Sequence, residues 1–245
     1  MPHVGPDAFG RAIRDHCRGE RDAPLIHRDG DETREHPVEA FYFTPPDPET
    51  PGQRWLDDRL QGPLVDLGAG AGRHARYYQE RFETVAVEPS PALVETMRER
   101  GVRDAREGDM FDLPAQFPAD RFGAALANGT QLGLAPSQRA LREFLGDLAH
   151  VTTSDATAVV DCYDPEHEAT RELLGYRPDP EPGVGRRVMW FEYEGDADPA
   201  LTFRLFAPEK LREASVGTAW AVADVRRGEG EDAHHYRAAL AKRSA

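Results

Sequence analysis

Lysine is almost missing from this chain of 245 residues: Lys210 and Lys242 are the only two. Cysteine is as scarce, at Cys17 and Cys162, too few for a disulfide framework or a cysteine-based metal site. No apolar run approaches the roughly 20 residues that a membrane-spanning helix requires. The start, residues 1–7, has neither the basic stretch nor the apolar stretch of a secretory leader. There is no internal repeat, which removes solenoid and propeller architectures. These absences leave a cytoplasmic protein with no membrane partner and no metal site as the expectation.

What is present is acid. Asp and Glu number 44 against 30 Lys and Arg, a net charge of −14. A carboxylate-rich, lysine-poor composition fits salt adaptation, because carboxylates keep a surface hydrated in brine. The negative field opposes a phosphate backbone, so nucleic acid is not an expected partner. Concentrated salt screens that repulsion and weakens the argument. Aromatic residues extend from Phe9 to Tyr236, and a chain of this length can bury a core without staples. The oligomer is expected to be a monomer or a homodimer.

The proline-dense segment at 44–52 divides the chain, since such a run cannot be helix or central strand. An N-terminal arm or lid is expected at 1–52, with a short helix at 7–18 capped by Asp7. The main domain is expected at 53–245. It opens with a helix at 54–61, and strands at 64–67, 84–87, 122–127 and 156–161 then alternate with helices at 73–82, 91–100 and 137–150. Such alternation predicts an α/β fold, with a parallel sheet covered on both faces. The tail changes character. Residues 187–194 and 201–206 alternate as two half-exposed strands, a β-hairpin inserted at about 186–206. A short helix at 208–214 and strands at 218–226 and 235–241 close the chain.

Between the first strand and its helix stands Val65-Asp-Leu-Gly-Ala-Gly-Ala-Gly72. Glycines there let the backbone turn tightly and approach a ligand, and the helix that follows offers free N–H groups. Glu88 ends the next strand, 22 positions beyond Asp66. Its two oxygens suit the vicinal diol of a ribose. A dinucleotide fingerprint would carry glycine at position 73, which is Arg73, so a nicotinamide oxidoreductase is disfavoured. An adenosyl ligand fits better.

Asp66-Leu-Gly-Ala-Gly-Ala-Gly72 resembles the first motif of the class I S-adenosylmethionine-dependent methyltransferases. Val87-Glu88-Pro-Ser, Gly108-Asp109-Met110 and Ala127-Asn128-Gly129 resemble the ends of that family's second, third and fourth strands. The resemblance covers roughly residues 55–165. It implies a Rossmann-like, doubly wound, mainly parallel seven-stranded sheet with an antiparallel last strand. It also implies S-adenosyl-L-methionine as cofactor. Asp66, Gly68, Ala69, Gly70 and Gly72 would form the cofactor loop, with Glu88 on the ribose. Asp109 would accept the adenine amino group, Met110 would lie against the ring, and Asn128 would stand near the methionyl part.

The acceptor is expected to be a small molecule. The segment Asn128-Gly-Thr-Gln131 lacks the Pro-Pro-aromatic pattern of nucleobase amino-methyltransferases, and no Pro-Cys nucleophile stands there. Tyr42 and Phe43, with His36, are candidates for an aromatic lid able to shield a sulfonium. Gln131, Tyr163 and Trp190 are candidate acceptor contacts, as are Asp161 and Asp164. No residue is assigned as catalytic base, and His234-His235 reads as a strand edge. The other reading is a protein that holds S-adenosylmethionine or S-adenosylhomocysteine without catalysis.

Overall fold

A computed structural model describes residues 7–243. Residues 1–6, on which the expectation about a secretory leader rests, and the last two positions, 244–245, lie outside the described residues. The arm begins with α1 (Ala8–Arg18), followed by β1 (Ile26–Asp29), β2 (Glu32–Glu35) and a π-helical turn at Glu39–Phe43. Asp7 caps α1 by accepting the Gly10 N–H at 2.9 Å. Helix α2 (Pro51–Asp57) starts three residues before the expected boundary. Thr50 accepts the Gln53 N–H, and Pro51 occupies the first helical turn, where its missing N–H costs nothing. The proline segment therefore ends inside a helix.

The main domain then runs β3 (Leu64–Leu67), α3 (Arg73–Tyr78), β4 (Thr84–Glu88), α4 (Pro91–Glu99), β5 (Ala105–Glu107), α5 (Leu113–Gln116), β6 (Phe122–Ala127), α6 (Gln138–Val151) and β7 (Thr152–Tyr163). After it come β8 (Tyr176–Pro178), β9 (Val184–Tyr193), β10 (Asp196–Ala197), β11 (Leu201–Phe206), α7 (Pro208–Ser215), β12 (Trp220–Arg227) and β13 (His235–Lys242). Every residue of β3, β4 and β6 is buried, as strands covered by helices on both faces must be.

Seven strands form one sheet in the order β12-β13-β7-β6-β3-β4-β5. The pairs from β7 to β5 are parallel. Strand β13 is antiparallel to both β7 and β12, so it alone runs against the other six. This is the expected α/β fold with its reversed last strand. Strand order reverses beside β3, and the crevice at that point is where such sheets hold ligands.

A second sheet covers the carboxyl ends of those strands, and β9 is its spine. The first half of β9 pairs with β11 and β8, and its second half with β1 and β10. The arm and the inserted strands thus share one sheet. Strands β1, β2 and β8 carry no readable signal: none is fully buried, and their sequences show no apolar alternation. Main-chain pairing to β9 organises them. Helix α1 is fixed between both parts. Its Ala8 and Phe9 N–H groups donate to Asp198 at 2.7 and 3.0 Å. From the main domain, the Ser90 hydroxyl donates to Asp7.

Candidate active site

The site starts at the bend after β3. Gly70 has φ +57° and Gly68 has φ +64°, a region that side-chain-bearing residues rarely occupy. A Cβ on Gly68 would collide with the Gln131 amide. The bend delivers the Gly70 N–H to Glu88 Oε2 at 3.0 Å, and the Ser90 N–H reaches Oε1 at 3.2 Å. Each carboxylate oxygen has room for a further donor. Glu88 is 7 % exposed, and burial pushes its carboxyl up to about 7. Asp66 lies beneath the loop at 2 % exposure and is likewise raised by burial to about 7. Its Oδ2 has no hydrogen-bond partner among the described residues.

A cavity of about 1020 Å³ opens above this loop. Gly68, Ala69, Gly70 and Glu88 line its floor. Asp109 and Met110 stand on one wall, and Asn128, Gln131 and Tyr163 on another. Tyr42 closes it from above, with its ring 3.4 Å from where a Gly70 Cβ would stand. Five candidates fall outside the lining, among them Asp164, whose carboxylate pairs with Arg227 at 2.7 Å. Asp66 and Gly72 sit behind the loop, and a Cβ on Gly72 would meet Val102 at 2.6 Å, so this glycine serves packing. Phe43 is turned away, between the His16 ring at 4.6 Å and the Arg100 guanidinium at 4.4 Å. Trp190 faces the outside of the second sheet, where its indole donates to Glu192 at 2.9 Å. Strand parity is the reason: Met189 and Phe191 take the cavity face, so Trp190 takes the other.

The cavity also gathers Thr130, His235 and Arg237, which the sequence did not single out as site residues, around Asp161, which it did. Asp161, 1 % exposed, accepts the Thr130 N–H at 2.6 Å and the Gly129 N–H at 2.9 Å, and its Oδ2 lies 2.8 Å from His235 Nε2. Arg237 donates to Asn128 Oδ1 at 2.9 Å. The insertion of β13 beside β7 sets Arg237 opposite Asp161 and His235 opposite Tyr163. That juxtaposition joins the chain's tail to the end of β6, and no local pattern announces it. An imidazole held by a buried carboxylate can take a proton from a neighbouring group.

Residues 65–149, from β3 to the end of α6, match the family model described as a methyltransferase domain. The fold is that of S-adenosylmethionine-dependent methyltransferases. A similar solved structure is the S-adenosylmethionine-dependent methyltransferase from Bacteroides fragilis in complex with S-adenosyl-L-homocysteine. It is 22 % identical, with 99 % of this chain and 97 % of that chain covered, at a TM-score of 0.76. The CcbJ methyltransferase from Streptomyces caelestis is 16 % identical, with 82 % and 91 % covered and a TM-score of 0.60. The 1,6-didemethyltoxoflavin-N1-methyltransferase from Burkholderia thailandensis is 18 % identical, with 74 % and 71 % covered and a TM-score of 0.51. No curated protein sequence matches the chain. Among the described residues, no helix of this methyltransferase-fold chain is long and apolar enough to cross a membrane.

The two raised carboxyls make a pH prediction. Burial lifts Asp66 and Glu88 from the ordinary 3.8 and 4.5 to about 7. Between those values the native protein binds more protons than the unfolded chain. Their contribution is therefore fully present below the ordinary values and is lost as pH rises through about 7, on the order of a few kcal/mol. Urea midpoints from pH 5 to 8 check this: Glu88→Gln and Asp66→Asn should each flatten the decline. An unchanged slope in both variants would remove the assignment.

Proposed function

We propose that the protein transfers the methyl group of S-adenosyl-L-methionine to a small-molecule acceptor. One observation carries the reading. The glycine bend and Glu88 stand at the floor of a cavity of about 1020 Å³, at the top of the range of about 300–1,000 Å³ for a site holding one drug-sized ligand. Such a space has room for a cofactor and an acceptor side by side.

Glu88 would hold the ribose hydroxyls through its remaining lone pairs. Asp109 and Met110 would hold the adenine, and Gly68, Ala69, Gly70 and Asn128 the amino-acid end. When bound, S-adenosylmethionine supplies a methyl group activated on a sulfonium. The chain then has to orient the acceptor, exclude water and accept a proton. Tyr42 and the arm cover the site as a lid. His235, oriented by Asp161, is the base we assign. The acidic surface disfavours nucleic acid. Two of the similar structures support a small acceptor by their own names, one for 1,6-didemethyltoxoflavin and one for a sugar N-methyltransferase.

Calorimetry with S-adenosylmethionine and S-adenosylhomocysteine, at low and high salt, tests the first half. Both should bind, and neither binding would overturn the reading. Glu88→Ala should weaken S-adenosylhomocysteine by about 1–3 kcal/mol, the scale of a lost charged hydrogen bond. Transfer of labelled methyl to small-molecule fractions tests the second half. His235→Ala should lower it without changing cofactor affinity. Tight binding with no labelled product would instead make the protein a holder of the cofactor.

A further inference from the structure

Beyond the cofactor loop, the cavity wall formed by the second sheet has a composition of its own. Phe9, Tyr42 and Phe191 are its aromatic faces, with Phe9 4.6 Å from Phe191 and 5.6 Å from Tyr42 between ring centroids. His27 and His36 complete the cluster: their rings are 4.4 Å apart, and His27 stands 4.8 Å from Phe191. At its edge lies Arg187, which also lines the cavity.

Arg187 differs from most arginines of its sheet; exposed Arg34 shares its lack of an acid partner among the described residues but does not line the cavity. Arg28, Arg177, Arg186 and Arg204 of the same sheet each pair with an acid, at 2.7, 2.8, 2.6 and 3.3 Å. Among the described residues no carboxylate pairs with Arg187. Its Nε donates to the Leu174 carbonyl at 2.8 Å, and Nη2 lies 3.4 Å from His27 Nδ1. A guanidinium has five N–H donors, so three remain. Burial lowers its pKa, as expected for a cation without a counter-charge.

The same contact fixes a tautomer. A guanidinium can only donate, so His27 Nδ1 accepts and the proton of the neutral ring sits on Nε2. Burial holds His27 neutral, its pKa lowered to about 4. His27 Nε2 is buried and has no partner among the described residues. His36, 5 % exposed, has its Nε2 2.9 Å from the Tyr42 hydroxyl, and its buried Nδ1 has no partner among the described residues. Orphaned buried polar atoms of this kind are costly unless a ligand meets them.

We propose that this part of the cavity binds a planar aromatic carboxylate, its ring against Phe9, Tyr42 and Phe191 and its anion on Arg187. The N–H donors left on one guanidinium match the two oxygens and single charge of a carboxylate. The flat faces match an aromatic body. The His27 Nε2–H and His36 Nδ1 are left for a polar substituent on the ring. The proposal rests on the methyl-transfer reading in taking this molecule as the acceptor.

Binding of 2-naphthoate, 2-naphthamide and decalin-2-carboxylate tests it, by calorimetry at fixed low salt, on the free protein and on protein saturated with S-adenosylhomocysteine. The naphthoate should bind at least about tenfold tighter than the other two, since one charge-assisted pair is worth about 1.5–3 kcal/mol. Arg187→Met should abolish the preference over the amide and leave 2-naphthamide and S-adenosylhomocysteine affinities unchanged. Arg187→Lys should retain part of it, and serves if the Met variant does not fold. Equal affinity for acid and amide, no binding of any probe, or an unaffected naphthoate in the folded variants would overturn the proposal. Failure of S-adenosylhomocysteine to bind while naphthoate binds to the free protein would instead remove the methyl-transfer reading and leave this site standing.

Discussion

Gly70→Val is expected to abolish measurable binding of S-adenosylhomocysteine while the protein stays folded. Gly70 holds φ +57°, where a β-branched residue is a steric outlier. The left-handed conformation alone costs about 1–2 kcal/mol for a residue with a Cβ. The new methyl groups would also extend toward the Tyr42 ring, already 3.4 Å from the Cβ position. Relaxing the bend turns away the N–H that meets Glu88 Oε2 at 3.0 Å, so the ribose contact proposed for Glu88 would be lost along with the space. A rise in Kd of about 100-fold or more, or about 2.7 kcal/mol, is the expected scale. Gly70→Ala adds strain without the branch and should lie between the two. Circular dichroism and a thermal melt establish folding, and calorimetry reads the affinity. A folded valine variant with native affinity would show that this bend does not hold the ligand.

Trp220→Ala should produce the largest loss of stability and leave the site alone. Trp220 on β12 is fully buried in the main core, and its indole donates to the Leu145 carbonyl at 3.0 Å. Truncating a buried tryptophan leaves a cavity and costs about 3–5 kcal/mol. For a chain of this size that lowers Tm by roughly 10 °C, at about 2–4 °C per kcal/mol. The urea midpoint should fall with its slope unchanged, and S-adenosylhomocysteine affinity should hold once the protein is folded. A Tm shift under about 3 °C would show that the core closes over the gap.

The main domain was legible because its signals are local. Leu64–Leu67, Thr84–Glu88 and Phe122–Ala127 are short apolar runs, buried on both faces. Ser90 with Pro91 and Ser137 mark helix starts by side-chain capping. The reversal of the chain at the glycine bend and the position of Glu88 follow from two such strands pairing in register, Leu64 with Thr84 through Leu67 with Val87. In the arm, the helix at Ala8–Arg18 with its Asp7 cap was legible and the strands were not. Ile26–Asp29 and Glu32–Glu35 are polar and partly exposed, so no hydrophobic period marks them. Trp190 was misplaced because alternation reveals that a strand has two faces without telling which one meets the cavity.

Residue type and spacing along the chain, by themselves, determined an α/β domain with a glycine bend followed one strand later by an acid, the floor of the cavity. Both depend on neighbours only a few residues apart, whose conformations are set by sterics and hydrogen bonding within one βαβ unit. Tertiary structure alone decided what faces that floor. His235 meets Asp161 across 74 positions, and Arg187 meets His27 across 160. Such encounters are fixed by which strand slots beside which, and that is settled by burial summed over the whole sheet.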